Sequence, residues 1–235
     1  MDDVNIEEVE HFVEESFYKG VRKFSDGEQK KRVRTSLHIS SMSYDCSRKL
    51  WYEIVTQRDS ELDEEGLYRT WIGTKLHETE MFNSKHEIKV KYASDNFSVK
   101  VGGQIDEILN YKGKKIIVDK KFVSRLPTEM REHHKRQVYY YMLLYEHQKK
   151  QKIDYVAVFY FLPTVDYRWS KKRYVAFVDE VTEDTRKQYK DRFEQVLKEV
   201  SDGLVKNELP PFTVSWYCNY CPFRVACDKN EKVVE

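Results

Sequence analysis

The stretch GGQIDEILNYKGKKIIVDKKF, residues 102–122, leaves the chain few ways to fold. Its side chains suit paired strands on both sides of Lys112-Gly113, and glycine supplies the positive φ that a two-residue hairpin turn requires. The segment is therefore predicted as a β-hairpin with a register set by its turn. In that register Asp106 faces Asp119, and Gln104 faces Lys121.

Side chains alternate along a strand, so Gln104, Asp106 and Ile108 share one face of the hairpin with Ile117, Asp119 and Lys121. Two acids placed opposite each other weaken a sheet by up to about 1 kcal/mol unless a cation lies between them. A divalent ion would remove that cost. Magnesium and manganese take oxygen ligands, commonly one or two carboxylates completed by water and substrate phosphate. Lys121, on the same face, is suited to acidify a bound water and to stabilise charge on a phosphoryl group.

The rest of the pattern wraps helices around this hairpin. Ile6, Val9, Val13 and Phe17 recur at helical spacing over residues 5–20, followed by a basic stretch. A second helix is expected from near Ser41, carrying Cys46, and a third over about 67–84. Strands fill 87–123. A long helix follows over 128–150, then strands at 155–162 and 173–180 and a last helix over 183–202. This order predicts an α/β fold, a mixed sheet flanked by helices. Residues 1–35 read as an N-terminal helix and basic linker before a single domain over 36–235, with cysteine-bearing segments around 41–55 and 212–228.

Composition narrows the partners. The chain has 235 residues, 41 basic against 40 acidic, and a net charge of +1, so no overall field announces a nucleic acid or a membrane. Its first residues lack the basic-then-apolar order of a secretory signal, and no apolar run approaches the roughly 20 residues that span a bilayer. A cytoplasmic location without membrane attachment is expected. In such a reducing compartment Cys46, Cys218, Cys221 and Cys227 point to metal chemistry or core packing rather than disulfides. Their spacing is compatible with zinc or with an iron-sulfur cluster. Basic clusters at Arg22 to Arg34, Arg125 to Arg136 and Lys171 to Arg173, interleaved with tyrosines, suit DNA backbone and base contacts.

GQID followed by IIVDKK resembles the GxxD and (D/E)xK elements of the PD-(D/E)XK nucleases, with Gly103 and Asp106 in the first and Asp119 and Lys121 in the second. Upstream, Gly73 and His77 in GTKLH resemble the GxxxH motif of the RecB-type nucleases. Downstream, Gln137 and Tyr141 resemble their QxxxY motif. One cysteine before these motifs and three after them resembles the iron-sulfur members of that group. With DCSRKLWYE at Cys46, the chain looks most like the CRISPR-associated exonucleases.

The resemblance implies a restriction-endonuclease-like fold and a 4Fe-4S cluster on Cys46, Cys218, Cys221 and Cys227 joining the two ends of the chain. It further implies magnesium or manganese on His77, Asp106, Asp119 and the carbonyl of Lys120, with Lys121 catalytic and Gln137 and Tyr141 positioning DNA. The implied activity is 5'-to-3' exonucleolytic cleavage of single strands or duplex ends in CRISPR adaptation, alongside the integration proteins. A viral or repair nuclease of the same fold is the alternative within the enzyme class. A non-catalytic iron-sulfur DNA-binding module is the alternative outside it.

Overall fold

The computed structural model describes residues 36–57, 64–77, 82, 85–162 and 173–232. The chain divides into two compact units. One comprises residues 1–33 and 59–79, the other residues 34–58 and 80–235. Of the first unit only the helix Glu64–His77 is described, which overlaps the helix predicted over 67–84 and begins three residues before it. The helix predicted over 5–20 lies outside the described residues.

The second unit opens with a short strand β1 (Ser36–His38), a single helical turn α1 (Ile39–Met42) and helix α2 (Ser47–Thr56). The sequence predicts one helix here, carrying Cys46. Instead Asp45 takes a positive φ of 62°, which breaks the helix, and Cys46 becomes the extended N-cap of α2. The cysteine thereby leaves the helix wall and sits at a corner.

Next come β2 (Lys85–Tyr92), β3 (Lys100–Tyr111), β4 (Lys114–Phe122), helix α3 (Glu132–Lys149), β5 (Tyr155–Phe161), β6 (Tyr174–Glu180) and helix α4 (Glu183–Lys206). The strands form one six-stranded mixed sheet. Its antiparallel β3–β4 hairpin turns at Lys112 and Gly113, with φ values of 49° and 79°. Two positive φ values in succession match the right-handed twist of the flanking strands. β5 then pairs in parallel with β4, so α3 is the crossover between them and packs against the sheet.

α3 is held in place from both sides. Its residues Val138, Tyr139, Tyr140 and Met142 are buried, and the Tyr139 ring stacks on Tyr189 of α4 at 4.0 Å. At its start the hydroxyl of Tyr160, from β5, accepts the Arg131 N–H at 3.1 Å and lies 2.9 Å from His134 Nδ1. The helix register is thus fixed against the sheet.

The chain ends in a 3-10 turn (Trp216–Tyr220) and a short helix α5 (Arg224–Asp228). This segment is pinned to α2. Arg48 donates from its main chain to Pro211 O at 3.1 Å and from Nε to Pro210 O at 2.8 Å. Tyr52 donates to Glu231 O at 2.6 Å and stacks on Phe223 at 5.2 Å. Trp51, Tyr52 and Phe223 form a small core apart from the main one. Among the described residues no helix is long and apolar enough to cross a membrane.

Candidate active site

The predicted hairpin register holds from Tyr111–Lys114 to Glu107–Val118 and then stops. Just beyond it, the Asp106 carboxylate accepts the Lys120 N–H at 2.6 Å. The cause lies in how β3 shares its edges. β2 covers one edge of β3 from Val101 to Ile108, so β1, which pairs with residues 100–102 of β3, must lie on the edge that β4 uses at 107–111. Between those two partners neither the β1 ladder nor the β4 ladder extends along residues 103–106. The sheet forks there, and the fork presents a carboxylate. The expectation that Asp106 and Asp119 oppose each other as ladder partners is corrected to this extent, and with it the pairing of Gln104 with Lys121.

Asp119 is 1% exposed and Asp106 8% exposed. Lys121 Nζ stands 3.2 Å from Asp119 Oδ1 and 2.9 Å from Oδ2. Burial acts against the charge on Lys121, but Asp119 and then Asp106 outweigh it and hold its pKa above the usual lysine value. The group is a firm cation facing two acids.

α3 supplies the next contacts. Gln137 Nε2 donates to Asp119 Oδ1 and to the Tyr141 hydroxyl, each at 3.2 Å. Gln137 and Tyr141 are one turn apart, so one helix face reaches the carboxylate. Burial, and then the charge of Asp119, raise the Tyr141 hydroxyl above the usual tyrosine range, keeping it a neutral hydrogen-bonding group. Gly103 makes this approach possible. A β-carbon on it would lie 2.6 Å from Tyr141 Cε1, closer than packed atoms can stand, and a tight 3.1 Å from Ile39 Cγ1. The structure therefore brings Gly103, Asp106, Asp119, Lys121, Gln137 and Tyr141 to one place.

Lys120, between the two, turns to the opposite face. Its Nζ pairs with Glu107 at 3.1 Å, both side chains being essentially unexposed. His77 ends the helix Glu64–His77 in the other unit, and its side chain lies outside the described residues. Among the described residues no three His, Cys, Asp or Glu side chains are gathered as a ready metal-ligand group. The donors that fit a divalent ion at the fork are the two oxygen-bearing carboxylates, a chemistry suited to magnesium or manganese.

Three residues beside Lys121 escaped the sequence reading: Tyr44, His133 and His134. Tyr44 stacks on His133 at 5.4 Å and on Tyr217 at 4.0 Å. Burial lowers the pKa of His133 to about 4, helped by the Arg131 and Lys121 charges. His134 is lowered further by burial, Lys121 and its neighbour His133. Both imidazoles are neutral at physiological pH. A signal existed for the histidines, because His133 precedes Gln137 by one helical turn. Tyr44 had none: Arg136 brings it in, donating to Ser43 O at 2.7 Å.

The four cysteines are free and half-buried. Cys46, Cys218, Cys221 and Cys227 line one pocket together with Arg48, Lys49 and Phe223. Burial raises the thiols of Cys221 and Cys227, and proximity to Cys46 adds to both. Three cationic side chains, Arg48, Lys49 and Arg224, line the same pocket as the four thiols.

A family model described as the PD-(D/E)XK nuclease superfamily matches residues 15–228. No curated protein matches the sequence. Among solved structures, the crystal structure of SSO0001 resembles this chain in fold, with a TM-score of 0.59 at 19% identity over 94% of this chain and 98% of its own. A phage related exonuclease from Haemophilus somnus 129PT aligns at 11% identity over 73% of this chain and 96% of its own, with a TM-score of 0.45.

Proposed function

The chain belongs to the PD-(D/E)XK nuclease superfamily, and we propose that it hydrolyses DNA phosphodiester bonds at strand ends, as an exonuclease dependent on magnesium or manganese. The observation that carries this reading is the meeting of Asp106, Asp119 and Lys121 at the fork, with Gln137 hydrogen-bonded to Asp119 at 3.2 Å. When bound, the divalent ion would polarise a phosphoryl oxygen and lower the pKa of water. Asp106, Asp119 and the Lys120 carbonyl would hold it, with His77 as a further ligand on the resemblance of GTKLH.

Lys121 then has two tasks that its position suits. Its ammonium orients the attacking water through a hydrogen bond, and it offers positive charge where the phosphoryl oxygens gain negative charge. Gln137 fixes the Asp119 carboxylate in one rotamer and Tyr141 in one orientation, which places the scissile phosphate's surroundings before substrate arrives. Hydrolysis forms a phosphorus–oxygen bond to water, whose released proton passes to solvent, and breaks one to a sugar oxygen, which takes up a proton from solvent.

The four cysteines are assigned to a 4Fe-4S cluster that joins the two ends of the second unit, away from the hydrolytic chemistry. The shared thiol pocket supports that assignment. On the resemblance of the cysteine order and the DCSRKLWYE segment, we place the activity in CRISPR adaptation, trimming DNA before spacer integration, with 5'-to-3' polarity. End-labelled single and double strands incubated with manganese should shorten progressively from their ends. DNA left intact, or cut only internally, contradicts the exonuclease reading.

A further inference from the structure

Beyond the hydrolytic residues, a group of rings runs from Lys121 toward the cysteine segment. His133, Tyr44 and Tyr217 form a graded stack, with centroids 5.4 Å and 4.0 Å apart and planes 17° and 26° from parallel. Trp216 stands across its edge, 5.3 Å from His133, 6.1 Å from Tyr44 and 5.9 Å from Tyr217. Trp216 is 57% exposed, and Tyr220 beside it is 73% exposed. Large rings left open to water at this density are not there to close a core.

The stack is braced from beneath. Lys49 Nζ lies 5.4 Å from the centroids of both Tyr44 and Tyr217, and it is anchored to Glu53 at 2.6 Å. Equidistant from two rings that stack on each other, this buried cation sits at the rim of the pair. At the other end Lys121 acts electrostatically on Tyr44 and His133, and the exposed Arg131 acts on His133 as well. His133 is neutral, so it adds a ring and no competing charge.

We infer that Trp216 and Tyr220, backed by Tyr44, Tyr217 and His133, form a platform that stacks the unpaired bases of a single strand whose phosphates pass Lys121. The inference rests on the proposed nuclease activity and deepens it by assigning a substrate form. Rings offer their faces to any base, whereas a paired duplex hides its base faces, so the platform selects an unpaired end. Cations at one end and rings along the rest match the phosphate and base sides of one strand. A protein partner would have less use for neutral rings lined up with a phosphate-attracting lysine.

The test measures binding of a fluorescent oligothymidine strand by anisotropy, in calcium with no magnesium or manganese, for the wild type, Trp216→Ala, Trp216→Phe and Tyr220→Ala. A parallel strand of equal length carries abasic sites over its central positions. Loss of one stacked base weakens binding by about tenfold or more. Trp216→Ala and Tyr220→Ala should weaken the intact strand by such a factor, Trp216→Phe much less, and the abasic strand should bind all four proteins equally poorly. Binding of the intact strand unchanged by either alanine, an equal loss on the abasic strand, or no binding by the wild type would overturn the platform. Cleavage is scored separately: a wild type that binds with the expected pattern but never cuts removes the nuclease reading and leaves the platform standing.

Discussion

Gly103 and Tyr141 occupy space that only one of them can fill: a β-carbon added to Gly103 would stand 2.6 Å from the tyrosine ring. The glycine lies in β3 opposite Val90 of β2, and the tyrosine shares a hydrogen bond with the residue that holds Asp119. A change at Gly103 therefore reaches the carboxylate through two side chains. Gly103→Ala is expected to destabilise the fold by about 1–3 kcal/mol through overpacking and to slow cleavage in the surviving folded protein. Thermal melting and a cleavage assay below the melting temperature check this. A variant as stable and active as the wild type would show that Tyr141 moves aside freely.

Gln137 bridges Asp119 and Tyr141 with one amide. Gln137→Leu keeps the bulk and removes both hydrogen bonds, which leaves Asp119 less firmly oriented. Cleavage should fall by about 10- to 100-fold, of the order seen when a supporting partner of a metal ligand is lost. Tyr141→Phe removes one hydroxyl and keeps the Asp119 bond, so its effect should be smaller. Single-turnover rates at saturating manganese distinguish the two, and equal losses would place the importance in Tyr141 instead.

His133 and His134 predict a response to acid. Burial lowers both pKa values below the ordinary histidine range, so the unfolded chain binds protons that the folded chain refuses. Stability is then full above the unfolded value of about 6.5 and declines as pH falls below it, for His133 down to its folded value of about 4. The melting temperature, measured without added metal, should drop between pH 7 and pH 5. The double variant His133→Asn with His134→Asn should drop less. Identical slopes would mean that the two imidazoles accept protons in the folded state.

The C-terminal segment is expected to behave as a clasp. Arg48, Tyr52 and Phe223 already pin it to α2, and the cysteine pocket lies in the same joint. Cys221→Ser should lose iron and sulfide on analysis of protein purified without oxygen, melt at lower temperature, and open residues 212–232 to limited proteolysis. Zinc without iron in the wild type would contradict the cluster, and unchanged proteolysis would contradict the clasp.

Much of this site was legible in the sequence for a physical reason. The Lys112-Gly113 turn and the strand alternation are local signals, and they set the register through Glu107–Val118. The fork beyond it was not legible, because it arises where β1 and β4 share one edge of β3, a relation between segments more than 60 residues apart in sequence. The break at Asp45 depends on a positive φ at a non-glycine residue, which Arg136 and Arg192 stabilise by pairing with its carboxylate from distant helices. Tyr44 enters the site by the same long-range bonds. His77 and the N-terminal helix stand as sequence expectations only.

Lys121, held against Asp119 at 2.9 Å, is the cation on which the proposed hydrolysis at the fork depends. The direct measurement is cleavage of an end-labelled single strand with manganese by wild type and Lys121→Ala, beside binding of the same strand in calcium. The variant's rate should fall by about 100-fold or more, with binding retained and the melting temperature little changed. Cleavage by Lys121→Ala at the wild-type rate would contradict it.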